Sequence, residues 1–282
     1  MNKNSKTALI VKLILAPVAY FIITQVISIV YTIVTMAQKM SDVATQDYMQ
    51  IYNEVYDLVM DKTLLITLIS AVVTIPLIYF VFFDRKEERI GKKINLIYAA
   101  LFGIGVSIVT NVVVALSGII ELSDTYQELS NYIYTGNVLF EIFTAGIVVP
   151  IVEELIYRGV IMKNFNKLLG TWPALIISSL IFGAMHMNLV QFMYATILGF
   201  AMGFVYIRYR SIVAPILFHM AANTFSIMIS DWTWMSEKME DPVVSLGVIL
   251  GCLILTVVSP VLIVRSTANT KEDEIPEKTY IE

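Results

Sequence analysis

The chain has 282 residues, of which 57% are hydrophobic and only 15% are charged, and its formal net charge is -4 at pH 7. This composition is typical of an integral membrane protein and excludes an ordinary soluble globular domain. No basic patch suggests nucleic acid as a partner. The single cysteine, Cys252, excludes an intrachain disulfide and a thiolate metal cluster.

Eight apolar segments follow one another along the chain, and each is close to the roughly 20 residues that cross a bilayer. The predicted spans are 8–36, 63–83, 94–120, 138–161, 172–186, 189–207, 212–230 and 243–264. We therefore predict an all-α, polytopic membrane helix bundle of about eight transmembrane helices, forming a single domain over residues 1–265. The acidic segment 266–282 is predicted to be a disordered cytoplasmic tail.

The lysines and arginines predict the orientation of these spans. They precede the first span, separate the second from the third, and follow the fourth, sixth and eighth, while the opposite loops are acidic or free of basic residues. The positive-inside rule then places both termini in the cytoplasm. The first apolar run lacks a small-residue cleavage site, so we expect a retained span rather than a signal peptide. The compact loops and the lone cysteine suggest a bacterial plasma membrane.

Six of the polar residues within the apolar segments form a candidate constellation, and they include the only two histidines of the chain. They are Glu153, Glu154, Arg158, His186, His219 and Asn223. Ionisable groups are costly at membrane depth and indicate a functional site. Each alone could be an interhelical hydrogen bond or a structural salt bridge, but only a shared site offsets the burial cost of all of them together. Together they are what activation of water for hydrolysis requires.

Helical spacing predicts different roles for the two glutamates. Residues four apart share a helix face, so Glu154 is predicted to pair with Arg158. Glu153 is rotated by about 100° and has no arginine on its own face. We therefore predict that Glu154 is structural and that Glu153 is the general base. The same spacing places Phe182 beneath His186, and His219 beside Asn223.

Three motifs now stand in order on three predicted helices: Glu153-Glu154-x-x-x-Arg158, Phe182-Gly-x-x-His186 and His219-x-x-x-Asn223. They resemble the signature motifs of the CPBP intramembrane proteases, a family that contains the CAAX-processing endopeptidases and bacterial relatives linked to bacteriocin self-immunity. The resemblance covers residues 138–230. It implies hydrolysis of a peptide bond in a membrane-associated peptide or protein.

The resemblance also implies roles for the residues. Glu153 and His186 would activate the water, while His219 and Asn223 would hold the oxyanion; Glu154, Arg158 and Phe182 would support them. Members are often called metalloproteases, and Zn²⁺ could be bound by residues drawn from Glu153, Glu154, His186 and His219. The same residues could equally act without metal, and their spacing leaves both mechanisms open.

Two other functions use the same residues. A proton-coupled transporter would use the buried Glu and His residues as a relay, but it would be expected to show inverted repeats, which the sequence lacks. A non-catalytic membrane scaffold would keep the fold without the chemistry, and the intact motifs argue against it. The sequence predicts no particular oligomeric state.

Overall fold

The computed structural model describes residues 5–41, 48–84, 95–121, 123 and 137–268, and within these ranges the chain forms helices and no strand. The basic segment 85–93 between the second and third predicted spans lies outside the described residues, as does the predicted tail from residue 269 onward. The last helix ends at Ala268, three residues inside that predicted tail.

Ten helices are distinguished in the described part of the chain. They are α1 Lys6–Ser41, α2 Tyr48–Asp61, α3 Thr63–Leu77 with a π-helical end Ile78–Phe82, α4 Ile97–Leu116, α5 138–169, α6 Thr171–Ala184, α7 Leu189–Tyr209, α8 Val213–Asp231, α9 Thr233–Met239 and α10 Pro242–Ala268. Six of them, α1, α3, α4, α7, α8 and α10, are long and apolar enough to cross a membrane. The predicted all-α polytopic fold is confirmed.

The remaining two predicted spans correspond to α5 and α6. Helix α6 has 14 residues, which cover about 21 Å, less than the hydrocarbon thickness of about 30 Å. His186, expected as the last residue of this span, lies instead in the turn between α6 and α7. The helix ends early because Met187 adopts a positive φ of 58° and Asn188 begins α7, accepting a hydrogen bond from the Gln191 N–H.

Helix α5 carries both glutamates and is irregular. It is π-helical over Ile142–Val148, α-helical over Val149–Ile156 and π-helical again over Tyr157–Met162. Single π-helical turns inside helices often occur at functional sites. Glu153 and Glu154 therefore lie on a short α-helical segment between two wider turns.

Small residues let the helices approach closely around this segment. A Cβ added to Gly103 of α4 would overlap the Phe218 carbonyl of α8. A Cβ on Gly199 of α7 would lie 3.1 Å from the Cα of Ser179 on α6. Such contacts are typical of helix packing in membranes, and they hold α4 against α8 and α6 against α7.

Helix α2 lies outside the predicted spans and is fastened to α1. Lys39 Nζ donates to Glu54 Oε2 at 2.9 Å, and both side chains are partly exposed. The hydrogen bond from Lys39 lowers the pKa of Glu54 below its usual value. This pair is an exposed counterpart to the buried charges described next.

Candidate active site

The centre of the candidate site is the ion pair that the spacing of α5 predicts. Arg158 Nη1 donates to Glu154 Oε1 at 2.7 Å, and both side chains are buried. Arg158 Nη2 also donates to the Gly199 carbonyl at 3.1 Å. A buried pair needs such additional hydrogen bonds to offset desolvation. The pair therefore joins α5 to α7.

His219 lies between the two glutamates. Its Nδ1 is 3.0 Å from Glu154 Oε1, and its Nε2 is 3.7 Å from Glu153 Oε2. A carboxylate can only accept a hydrogen bond, so Nδ1 carries a proton and donates it to Glu154. In the neutral imidazole the lone pair is then on Nε2, on the side of Glu153.

This arrangement differs from the expected isolation of Glu153. Among the described residues no ion pair joins an arginine to Glu153, and His219 is its neighbour. Glu153 is also the more open of the two glutamates, since 17% of its side chain is exposed whereas the Glu154 side chain is fully buried. Glu153 is thus the carboxylate that water can reach.

His186 has its ring orientation fixed by the end of α6. Its Nδ1 donates to the Phe182 carbonyl at 2.9 Å, because a carbonyl oxygen only accepts. The neutral ring therefore carries its lone pair on Nε2. Asn188 Nδ2 donates to the His186 carbonyl at 3.1 Å and stabilises the turn. Asn188 belongs to none of the three motifs, although an asparagine directly before an apolar run is a typical N-cap.

Phe182 brings the two histidines to one place. Its ring centroid is 5.1 Å from that of His186 and 5.8 Å from that of His219, both edge to face. Tyr157 packs on the same ring at 4.9 Å, and the Arg158 guanidinium carbon lies 4.7 Å from its centroid. Phe182 is 2% exposed. It therefore holds residues of three predicted motifs around one buried ring.

Asn223 makes its hydrogen bond elsewhere on α5. Its Nδ2 donates to the Ala145 carbonyl at 3.0 Å, whereas His219, one turn earlier on α8, faces the glutamates. The structure therefore brings the other six predicted residues around Phe182 and Glu154, and it connects Asn223 to the preceding π-helical turn.

Tyr20 of α1 is a neighbour of the site that sequence reasoning missed. It interacts electrostatically with Glu153 and with Tyr157, which lies one turn after Glu153. No motif marks Tyr20, because it is one of several aromatic residues in a long apolar helix. The N-terminal helix thus contributes a polar group near the candidate base.

An apolar cavity of about 440 Å³ lies between α1, α5 and α6. It is lined by Ile10, Leu13, Ile14, Pro17, Ile161, Phe165, Leu168, Leu169 and Ile181. Ile181 directly precedes Phe182, and Ile161 lies one turn after Tyr157. The cavity is therefore adjacent to the aromatic cluster of the site.

The candidate zinc ligands are not gathered into a three-ligand group in the part of the chain that the structure describes. No three His, Cys, Asp or Glu side chains there lie close enough together to hold a metal ion. Glu154 Oε1 already accepts from Arg158 and His219, and His186 Nδ1 donates to a carbonyl. We therefore assign no step of the reaction to zinc.

Comparisons with known proteins agree with the resemblance seen in the motifs. Residues 135–225 match the family described as type II CAAX prenyl endopeptidase Rce1-like, so the predicted resemblance to the CAAX-protease family is confirmed. The chain is also 33% identical over 114 residues to a Bacillus subtilis (strain 168) protein named "Putative membrane peptidase YdiL". That match covers 40% of this chain and 46% of the relative, so the chain spans less than half of the relative's length. No solved structure matches.

The matched segment contains all seven predicted site residues. Helix α1, with Tyr20 and one wall of the apolar cavity, lies outside it. The findings support an integral membrane protein with the character of a membrane peptidase.

Proposed function

We propose that this protein is an intramembrane endopeptidase that hydrolyses a peptide bond of a membrane-associated peptide or protein. The observation that carries the proposal is His219, which lies between the reachable Glu153 and the buried Glu154 inside an apolar bundle. A buried ion pair with a purely structural role would need neither a second carboxylate nor a histidine between the two carboxylates. The match of this segment to a CAAX endopeptidase family supports the same function.

Glu153 and His186 activate the water in this proposal. Both offer a proton acceptor, a carboxylate oxygen and an imidazole Nε2. Water attacks the carbonyl carbon of the scissile bond, a carbon–oxygen bond forms, and a proton passes to Glu153. The carbon–nitrogen bond then breaks, and the proton moves from Glu153 to the leaving amine.

His219 and Asn223 stabilise the oxyanion. Because the Nδ1–H of His219 donates to Glu154, only the imidazolium form has a second N–H, on Nε2, to donate. The Asn223 amide has two N–H groups. One donates to the Ala145 carbonyl, and the other can donate to the oxyanion. Donors held in place before the reaction stabilise the developing charge without reorganisation.

The apolar cavity supports a substrate with an apolar part. Its volume of about 440 Å³ is within the range of about 300–1,000 Å³ that is usual for ligand pockets, and it lies beside Phe182. We propose that it receives an apolar group of the substrate while the peptide bond reaches Glu153.

A proteomic comparison tests the proposed function. Cells carrying the intact chain are compared with cells carrying Glu153→Gln or Glu54→Gln, the second being the same change at an exposed site. A cleavage product should appear with the intact chain and with Glu54→Gln, and be absent with Glu153→Gln. Identical products in all three would contradict the proposal.

The proposed role of the cavity in substrate binding can be tested with a substitution that fills it. Ile10→Trp places a large ring at a cavity-lining position that is 49% exposed, while Val11→Trp makes the same change at a neighbouring position that is 39% exposed and does not line the cavity. KM for the identified substrate should rise with Ile10→Trp and stay near its original value with Val11→Trp. Equal effects of the two substitutions would argue against this use of the cavity.

A further inference from the structure

Pro150 interrupts the hydrogen bonding of α5 three residues before Glu153. In the π-helical turn Ile142–Val148 an N–H donates to the carbonyl five residues back, and the Val149 N–H accordingly donates to Thr144. In the same register the Ala145 carbonyl would accept from residue 150. Proline has no N–H, and a carbonyl without a donor is costly at membrane depth.

Asn223 of α8 supplies the missing donor. Its Nδ2 lies 3.0 Å from the Ala145 carbonyl oxygen. One position further along both helices, a Cβ on Gly146 would lie 2.7 Å from Thr224 Oγ1. A side chain at Gly146 would therefore crowd the Thr224 hydroxyl directly beside the Asn223 hydrogen bond.

The same two helices carry the reacting groups. His219 precedes Asn223 by four residues and so lies on the same face of α8. Glu153 follows Pro150 by three residues on α5. The Asn223 hydrogen bond and the contact between His219 and Glu153, at 3.7 Å, are thus two successive connections between α8 and α5.

We propose that Asn223, besides donating to the oxyanion, has a positioning role: its side-chain amide replaces the backbone N–H that Pro150 lacks, connects α8 to α5 and holds His219 opposite Glu153. The importance of this position for hydrolysis rests on the proposed function. The hydrogen bond between Asn223 and Ala145 does not rest on that function. Its contribution to stability can be measured even in a protein without protease activity.

A double-mutant cycle tests the hydrogen bond between Asn223 and the Ala145 carbonyl. Asn223→Ala leaves the Ala145 carbonyl without its donor and should lower the melting temperature in detergent by about 2–6 °C. Pro150→Ala restores an N–H at residue 150. In that background Asn223→Ala should therefore lower the melting temperature much less. Asn223→Leu, which keeps a similar side-chain volume but has no N–H, should behave like Asn223→Ala. Additive effects of Pro150→Ala and Asn223→Ala would overturn the proposal.

The imidazole spectra test the positioning. The chain has two histidines, so protein labelled with ¹⁵N-histidine gives signals from two rings only, and His186→Gln assigns them. Asn223→Ala should shift the ring signals of His219 and leave those of His186 unchanged, and adding Pro150→Ala should not restore them, because an N–H at residue 150 satisfies the Ala145 carbonyl without connecting α8 to α5. Gly146→Ala, which crowds Thr224 next to Asn223, should shift the same His219 signals, whereas Gly251→Ala, with open space around it, should not. Unchanged His219 signals in Asn223→Ala would overturn the proposal whether or not the protein is a protease.

Discussion

His219 and Glu154 share a hydrogen bond of 3.0 Å through the same carboxylate oxygen that accepts from Arg158 at 2.7 Å. Glu154 therefore does more than neutralise an arginine. It sets the tautomer of His219, and it thereby directs the Nε2 of that ring toward Glu153. The carboxylate that the sequence marks as structural also orients a residue of the reaction.

The buried pair predicts a large loss of stability in Glu154→Gln. Arg158 is 1% exposed, so removing the opposite charge leaves an uncompensated guanidinium in the bundle. Breaking a buried pair in this way costs about 3–5 kcal/mol. Thermal unfolding in detergent should show the loss, and turnover should fall with it because His219 is no longer oriented.

The same substitution at the exposed pair is the control. Glu54→Gln removes the charge of the ion pair with Lys39, an exposed pair that solvent screens. It should therefore leave the melting temperature nearly unchanged. The lowered pKa of Glu54 means that its contact with Lys39 is present at neutral pH and is lost as the pH falls through that lowered pKa. Similar decreases of the melting temperature in Glu154→Gln and Glu54→Gln would contradict the assigned burial of Glu154.

Glu153→Gln should separate chemistry from stability. The side chain is 17% exposed and has no arginine to leave unpaired, so the melting temperature should stay close to that of the intact protein. The amide cannot accept the proton from water, and cleavage should be abolished. Turnover near the original rate would show that another group is the base.

Local spacing explains what the sequence could predict. The pairing of Glu154 with Arg158 and the position of Phe182 under His186 follow from residues four apart on one helix. The contact of His219 with Glu154 joins residues 65 apart in the chain, and it depends on how α8 packs against α5.

Other features depended on tertiary structure or on single backbone angles. Tyr20 approaches Glu153 from a helix that carries no motif, so composition could not single it out. The hydrogen bond of Asn223 to Ala145 depends on a π-helical register that the sequence did not predict. The end of α6 before His186 depends on the positive φ of Met187.

Gly103→Ala should disturb the site through packing alone. The added Cβ would overlap the Phe218 carbonyl, directly before His219, and would displace α8 from α4. Overpacking of this kind costs about 1–3 kcal/mol. Gly247→Ala is the matched control in a helix, because nothing lies within 4 Å of the added atom, and alanine there should stabilise or be neutral. Equal melting temperatures for the two variants would show that α4 does not restrain α8.

The basic residues predict that both termini and the segment around Lys86 face the cytoplasm. Cys252→Ser gives a background without thiols, since the chain has one cysteine. A cysteine at Lys86 should then react with an impermeant reagent only in opened cells, and a cysteine at Lys62 should react in intact cells. The reverse pattern would invert the topology and place the site on the other half of the bilayer.

The last prediction concerns metal, since the motifs are compatible with either mechanism. The reaction proposed above uses carboxylate, imidazole and amide groups, and the described residues hold no three-ligand set. We therefore expect cleavage to continue after chelation and dialysis. Partial activity should also remain in His219→Asn, because an amide can still donate to an oxyanion.

A zinc enzyme would give the opposite results. Chelation would abolish cleavage, added zinc would restore it, and His219→Asn would lose activity because an amide is a poor zinc ligand beside imidazole. Metal analysis of purified protein decides between the two mechanisms. Stoichiometric zinc in active protein, lost together with activity in His186→Ala, would overturn the metal-free mechanism, and it would require the two histidines and Glu153 to approach more closely than they do around Phe182.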